Sequence, residues 1–233
     1  MATKKIISII TCLIFSVASA VAEEWNFDAI MKDKVIGKHT FSVNNEKIIS
    51  KADFHIEFLF MDIYYQHKSE ELWSGNCLNS ISSQTNDDGD EFVVNGIRES
   101  NNFYVIANNV KAPLPACIMT FAYWNPKILE QDKLMNSQNG EYLDVKTTLL
   151  KQEKITIKGK NISANRYEMI ASKNGVEKLK IQLWYDQNMQ WVALKSPTPI
   201  GDIFYKLLLS LIHISEPTRP ERIADGGLGV EKK

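Results

Sequence analysis

The residues best suited to do chemistry in this chain are His39, His67 and Tyr123. Histidine titrates near neutral pH, and both histidine and tyrosine serve as general acids or bases, so the three are the candidates for an acid–base enzyme. Such an enzyme would need at least two of them within hydrogen-bond reach in one cleft. His39 falls on an apolar strand face, where a histidine is more often hydrogen-bonded in the core than catalytic. The sequence by itself therefore assigns no catalytic residue.

Metal and cofactor motifs give no stronger signal. His67 precedes Glu70 and Glu71, but a strand or turn holds a His-x-x-Glu set in no fixed geometry, so we expect solvated charges there. The acidic run at residues 87–91 lacks the spacing of a calcium loop and is predicted to be a hairpin turn. The sequence contains no Gly-x-Ser-x-Gly elbow and no phosphate-binding glycine loop. We therefore predict neither a metal nor a cofactor.

Residues 1–22 have the three parts of a secretory signal peptide: a basic start, an apolar run at residues 6–17 and small-x-small cleavage sites. The apolar run is shorter than the roughly 20 residues that a membrane span needs. Cys12 within it lacks the preceding small residues of a lipoprotein signal, so no lipid anchor is expected. These features predict export to the periplasm, with no transmembrane segment after signal removal.

Two cysteines remain after signal removal, Cys77 and Cys117. An even pair in an exported chain favours a disulfide, which would close a loop of about 40 residues. Two free buried thiols are the alternative. The formal net charge of −1 gives no electrostatic argument for binding nucleic acid.

Residues 209–233 differ in character from the rest of the chain. The run up to Arg219 resembles translated sequencing-adapter DNA, and the alternative is an ordinary polar tail. Prolines and a Gly-Gly pair leave this segment without a packed core in either case. We therefore expect one β-rich periplasmic domain at residues 23–208, between a signal peptide and a non-native-looking disordered tail.

Alternating apolar and polar residues dominate the predicted domain and indicate strands. The clearest strand places Phe54, Ile56, Phe58 and Phe60 on one face. An aromatic face of this density must lie against apolar groups, which fixes the strand register. The pattern predicts about ten to twelve antiparallel strands in meander order and one short helix at residues 126–134. Because so many strands must curl, we predict a mainly β fold: a single curled antiparallel sheet or half-barrel.

The central segment, residues 117–141, fits neither an alternating strand nor a surface loop. Within it, Asn125-Pro126 resembles an N-cap followed by the first helical position. Tyr123, Trp124 and Asn125 combine aromatic bodies with polar tips, a composition typical of ligand sites. The competing interpretation is that they plug the open end of the curled sheet as core residues.

Several motifs occur together and in one order along the chain. They are Trp25-x-Phe27, Ile36-Gly37-x-His39-x-Phe41, Ala52-Asp53-Phe54, His67-x-x-Glu70, Trp73-x-x-x-Cys77-Leu78, Cys117-x-x-Thr120-Phe121-Ala122-Tyr123-Trp124-Asn125-Pro126, Asn136-x-Gln138-x-Gly140-Glu141 and Leu183-Trp184-Tyr185-Asp186. Their combination resembles a family of exported proteobacterial proteins defined as a domain of unknown function, over nearly all of residues 25–207. The opening strands are similar, to a lesser degree, to periplasmic lipoprotein-carrier-like proteins with curled sheets. Neither resemblance implies an activity or catalytic residues.

Together these observations favour a non-enzymatic periplasmic binding module. Its partner would be an apolar small molecule or lipid, held in the concave face lined by the aromatic strand. One alternative is a periplasmic enzyme that uses the histidine and tyrosine candidates for acid–base chemistry. Another is a structural interaction protein of the envelope, which would present an exposed apolar patch or strand edge instead of a pocket.

Overall fold

The structure, a computed structural model, describes residues 23–58, 61–157 and 159–210. The predicted signal peptide, the tail from residue 211 and Phe60 lie outside these ranges, and the side chain of Phe58 lies outside the described side chains. The described residues form fourteen β-strands: β1 Glu23–Met31, β2 Lys34–Asn44, β3 Lys47–Phe58, β4 Met61–Ser74, β5 Cys77–Asp87, β6 Asp90–Glu99, β7 Asn102–Ala107, β8 Val110–Pro115, β9 Lys133–Met135, β10 Tyr142–Ile157, β11 Lys160–Lys173, β12 Val176–Asp186, β13 Trp191–Thr198 and β14 Gly201–Ser210. They contain no helix with the length and apolar character that a membrane crossing requires.

All fourteen strands belong to one sheet, in the order β8-β7-β6-β5-β4-β3-β2-β1-β14-β13-β12-β11-β10-β9. The chain runs strand by strand from β1 to one edge at β8, crosses to the other edge at β9, and returns until β14 pairs with β1. The two edge strands do not pair, so the curled sheet is not closed into a barrel. The predicted mainly β fold with a single antiparallel sheet is confirmed.

Strict alternation along each strand decides which side chains enter the concave face, because successive side chains point to opposite faces of a sheet. In β1, Trp25, Phe27, Ala29 and Met31 are buried, as predicted, and the residues between them are only partly covered. In β4 every second residue from Asp62 to Ser74 is exposed, and those between them are buried or half-buried. Over these strands the sheet has one solvated and one covered face, whereas at β11–β13 a second buried cluster of Ala164, Trp184, Val192 and Ala193 lies on the other face.

The central segment covers much of the concave face. A disulfide joins Cys77 in β5 to Cys117 at the start of the segment, as predicted, with 4.8 Å between the Cα atoms. Beside it, the Leu78 amide donates to the Ile118 carbonyl at 2.9 Å. Further along, the segment buries Ile118, Met119, Ile128, Leu134 and Met135 in the same apolar cluster as the strands. The segment is therefore a core element of the fold.

The predicted helix is shorter than expected. A 3₁₀ helix spans Pro126–Glu130, and the Asn125 side chain caps it by accepting a hydrogen bond from the Lys127 amide at 3.0 Å. The sequence predicted helix as far as Leu134, and this boundary was wrong. Leu134 lies in β9, which pairs with β10, because the chain must supply an edge strand there before it turns back.

We predict that reducing the Cys77–Cys117 disulfide lowers the free energy of unfolding by about 4 kcal/mol. The bond closes a loop of 40 residues, and opening it returns that conformational freedom to the unfolded chain. Urea denaturation followed by tryptophan fluorescence, with and without a thiol reductant, measures the change.

The matched control is the double variant Cys77→Ala with Cys117→Ala, which should unfold at the lower midpoint and respond to no reductant. An equal midpoint for the oxidised and reduced wild-type protein would contradict the stabilising role of the bond.

Candidate functional site

A cavity of about 530 Å³ lies between the sheet and the central segment. One wall is the concave face of β2–β5, and the opposite wall comes from the central segment and from β12–β14. Of the predicted ligand-lining residues, Phe54, Ile56, Tyr123 and Trp124 line this cavity. Asn125 instead caps the 3₁₀ helix and donates to the Asn76 side chain at 3.3 Å.

Apolar side chains form the end of the cavity nearest the β3–β4 turn. Ile56 pairs across the strands with Ile63, and Phe54 pairs with Tyr65, its ring stacked at 5.4 Å between centroids. Pro199, from the β13–β14 turn, also lines the cavity and is exposed to solvent. This end is therefore the opening of the cavity, and its rim combines these side chains with the carboxyl group of Asp87, the exposed cross-strand partner of Tyr65.

Polar side chains form the deeper part of the same face, in successive cross-strand rows. The rows on β3, β4 and β5 are Ala52-His67-Thr85, then Ser50-Ser69-Ser83, then Ile48-Glu71-Ile81. His39 on β2 stands beside the first of these rows, as the partner of Ala52. All the polar members of these rows, and His39, are buried. The cavity thus changes from apolar at its opening to polar beneath the central segment.

The two histidines of this polar region are each hydrogen-bonded to a hydroxyl group. His39 Nε2 lies 2.8 Å from Ser50 Oγ, and His67 Nδ1 lies 2.9 Å from Thr85 Oγ1. Burial lowers the pKa of His39 to about 3, with a smaller contribution from His67, and lowers the pKa of His67 to about 4. Both imidazoles are therefore neutral at neutral pH. Among the described residues, His39 Nδ1 has no hydrogen-bond partner although it is buried.

The three acid–base candidates line one cavity, but among the described residues no hydrogen bond joins any two of them. His39, His67 and Tyr123 all line it, but the histidines bond to serine and threonine. The Tyr123 carbonyl accepts a hydrogen bond from the Tyr185 hydroxyl at 2.7 Å, and burial raises the pKa of the Tyr123 phenol. Tyr123 packs against Trp191 with 5.2 Å between ring centroids, so it both fills the core and lines the cavity.

Glu71 marks the deepest polar row. Its Oε2 atom accepts from Trp73 Nε1 at 2.9 Å and from Thr120 Oγ1 of the central segment at 3.2 Å. Burial raises the pKa of Glu71 to about 7, although both hydrogen bonds act in the opposite direction. A buried carboxyl group therefore helps to seat the central segment on the sheet.

The expectation of solvated charges around His67 was wrong for two of its three residues. Glu70 is exposed and forms an ion pair with Lys47 at 2.7 Å, as expected. His67 and Glu71 are buried. The period of two along β4 places Glu70 on the outer face and Glu71 on the inner face. The sequence contains this signal, because continuing the inside–outside alternation of β3 through the β3–β4 turn gives the same assignment.

The loop between β9 and β10 completes the wall next to the polar rows. Ser83 Oγ donates to the Ser137 carbonyl, and Thr85 Oγ1 donates to the Gln138 carbonyl at 3.2 Å. Gly140 packs so closely that an added Cβ would lie 2.7 Å from the Ala107 Cβ. The loop between β9 and β10 therefore contacts β5 and β7, on the far side of the curled sheet, across its interior.

Within the described residues, one group has the spacing of metal ligands: His55, Glu57 and Asp62, near the β3–β4 turn. All three side chains are exposed, and His55 Nε2 lies 3.6 Å from Asp62 Oδ1. Exposed acidic clusters of this kind are common without an ion, so the group does not establish a metal site.

Residues 27–208 match the sequence family described as Domain of unknown function (DUF6134). The chain belongs to this family. The match covers almost the whole described sheet, the central segment included. No curated protein matches the chain significantly.

A solved structure of low sequence identity resembles the fold of this DUF6134 protein. The beta-barrel-like protein of the domain of unknown function DUF1849 from Brucella abortus is 10% identical, with a TM-score of 0.63, over 83% of this chain and 98% of that chain. A DUF1329 family protein from Desulfovibrio piger is 9% identical over 86% of this chain and 89% of that chain. Its TM-score of 0.28 carries no argument. The first similarity establishes a shared fold and nothing about function.

We predict that Glu71→Gln stabilises the protein in mildly alkaline solution. The folded state holds the Glu71 proton up to a pKa of about 7, whereas the unfolded state loses it near 4.5, so the wild-type protein loses stability as the pH rises between these values. Glutamine keeps an acceptor for Trp73 and Thr120 but carries no charge. At about pH 8.5 the variant should gain up to roughly 3 kcal/mol, and the gain should vanish near pH 4.5.

Urea denaturation at a series of pH values gives this comparison. The matched control is Glu70→Gln, the exposed neighbour on the same strand, which should show no such pH-dependent gain. The two histidines act in the opposite sense, because their folded pKa values lie below 6.5 and stability falls as the pH drops from 6.5. A Glu71→Gln variant less stable than wild type at alkaline pH would contradict the raised pKa of Glu71.

Proposed function

We propose that this protein is a non-enzymatic periplasmic binding module for an apolar or lipid-like ligand. The cavity between the sheet and the central segment carries the proposal. Its volume of about 530 Å³ falls within the range of small-molecule sites, about 300–1,000 Å³. Such sites are mainly apolar, with a few polar groups placed to orient the ligand, and the cavity has this composition.

The opening supports a ligand with a substantial apolar part. Ile56 and Ile63 face each other across two strands, and Ile200 and Ile203 line the cavity from the β13–β14 side. Burying these apolar surfaces against a hydrocarbon would contribute about 25 cal/mol for each Å² removed from water. A small polar metabolite would not gain this free energy, because it has little apolar surface to bury.

The periplasmic location is part of the proposal. The Cys77–Cys117 disulfide supports it, because such bonds persist in oxidising compartments and are rare in the cytosol. The amino-terminal sequence supports it as well, since it has the composition of a secretory signal. Detection of the oxidised protein in a periplasmic extract, and not in the cytosolic fraction, would test the location.

We predict that the purified protein binds Nile red in this cavity and that Ile63→Trp abolishes most of the binding. Ile63 lines the cavity near its opening, so the larger indole would occupy part of the space available to a ligand. A fluorescence titration with Nile red measures binding, and extraction of the purified protein into organic solvent followed by mass spectrometry identifies any retained lipid.

The matched control is Tyr64→Trp, one residue along the strand, whose side chain is 53% exposed on the outer face. It should bind Nile red like wild type. Circular dichroism and the urea midpoint show whether each variant is folded. Binding that survives Ile63→Trp and is lost in Tyr64→Trp would place the ligand on the outer face and contradict the proposal.

A further inference from the structure

The polar part of the cavity has a fixed place relative to its opening. Along β3 the lining residues are Ile56 and Phe54 near the opening, then Ser50, and then Ile48 beneath the central segment. A ligand long enough to fill the cavity would meet hydrocarbon at the opening and hydroxyl and imidazole groups further in. Its buried end should therefore offer hydrogen bonds, because a wholly apolar end would cover the Ser50 and Ser69 hydroxyl groups without offering them one.

The charge of the polar part restricts that buried end. Among the described residues that line the cavity, none is lysine or arginine. The two histidines are neutral because burial lowers their pKa values. An anionic end group would thus be buried without a counter-charge, which is unfavourable. Glu71 and Asp87 also line the cavity, and their carboxyl groups would repel an anionic end group further when ionised.

The hydrogen-bonding groups of the polar part suit a hydroxyl partner. Ser50 and Ser69 line the cavity next to each other on neighbouring strands. His39 Nε2 is paired with Ser50 Oγ, while Nδ1 is buried without a partner among the described residues. In a neutral imidazole one nitrogen donates and the other accepts, and a hydroxyl group can meet either one because it both donates and accepts.

We propose that the cavity selects amphipathic lipids whose buried end is an uncharged, hydroxyl-bearing group, seated against His39, Ser50 and Ser69, and that it discriminates against anionic ends. Fatty alcohols and monoacylglycerols have this chemistry, whereas fatty acids have the same tails with a negative charge. The proposal rests on the binding function proposed above and names the class of ligand for that same site.

A series of lauryl compounds tests the selection, because only the end group changes. Monolaurin, dodecanol and laurate are each used, below their aggregation concentrations and above neutral pH, to displace Nile red from the wild-type protein. Monolaurin and dodecanol should bind at least about tenfold more tightly than laurate, a difference of about 1.4 kcal/mol.

Two variants test whether the polar part of the cavity causes the selection. His39→Phe keeps a ring beside Phe41 but removes both nitrogens, and Ser69→Ala removes one hydroxyl. Each should weaken monolaurin binding by about fivefold, the worth of one neutral hydrogen bond. The matched control is Ser82→Ala on the exposed face of β5, which should leave every affinity unchanged.

The outcomes separate this inference from the function on which it rests. If no lauryl compound and no Nile red binds, the binding function itself fails. If all three compounds bind alike, or if laurate binds most tightly, the cavity binds lipids but the selection for an uncharged end over an anionic one is wrong. An unchanged monolaurin affinity in both His39→Phe and Ser69→Ala would also overturn the seat assigned to the hydroxyl group.

Discussion

The disulfide between Cys77 and Cys117 fixes the point at which the chain leaves the sheet edge and enters its interior. A large curled sheet has one face that must be covered, and among the described residues no second sheet lies against it. The cover is the central segment, which follows the edge strand β8 and contains the other edge strand, β9. Because the covalent bond and the adjacent Leu78–Ile118 hydrogen bond hold its start, the residues that follow pack on the concave face in a defined position.

The central segment covers only part of the concave face, and the cavity is the part that it leaves uncovered. Four residues of the segment, Ile118, Met119, Leu134 and Met135, are almost fully buried, so the covered part of the interior is a packed core. On the side of the β3–β4 turn the cover ends, and the inner side chains of the strands line a space of about 530 Å³. Core and cavity are therefore two regions of one continuous inner face.

Buried polar groups connect these two regions. Glu71 accepts hydrogen bonds from Trp73 on its own strand and from Thr120 in the central segment, and Ser83 and Thr85 donate to carbonyls of the β9–β10 loop. Such bonds leave few donors or acceptors unpaired at the contact between sheet and cover. The same rows of residues continue into the cavity as His39, Ser50 and Ser69.

The sequence alone determined the fold class, the disulfide and the inward residues Phe54 and Ile56, because alternation and cysteine parity are local signals with a direct physical cause. Only the tertiary structure decided that Glu71 and His67 are buried at their inward positions, since polar residues on a covered face give no hydropathy signal. It also ended the helix at Glu130 and separated Asn125 from Tyr123 and Trp124, because pairing with β10 and capping are set by distant neighbours. The meeting of His39, His67 and Tyr123 in one cavity likewise depended on how far a sheet of fourteen strands curls, which no short stretch of sequence encodes.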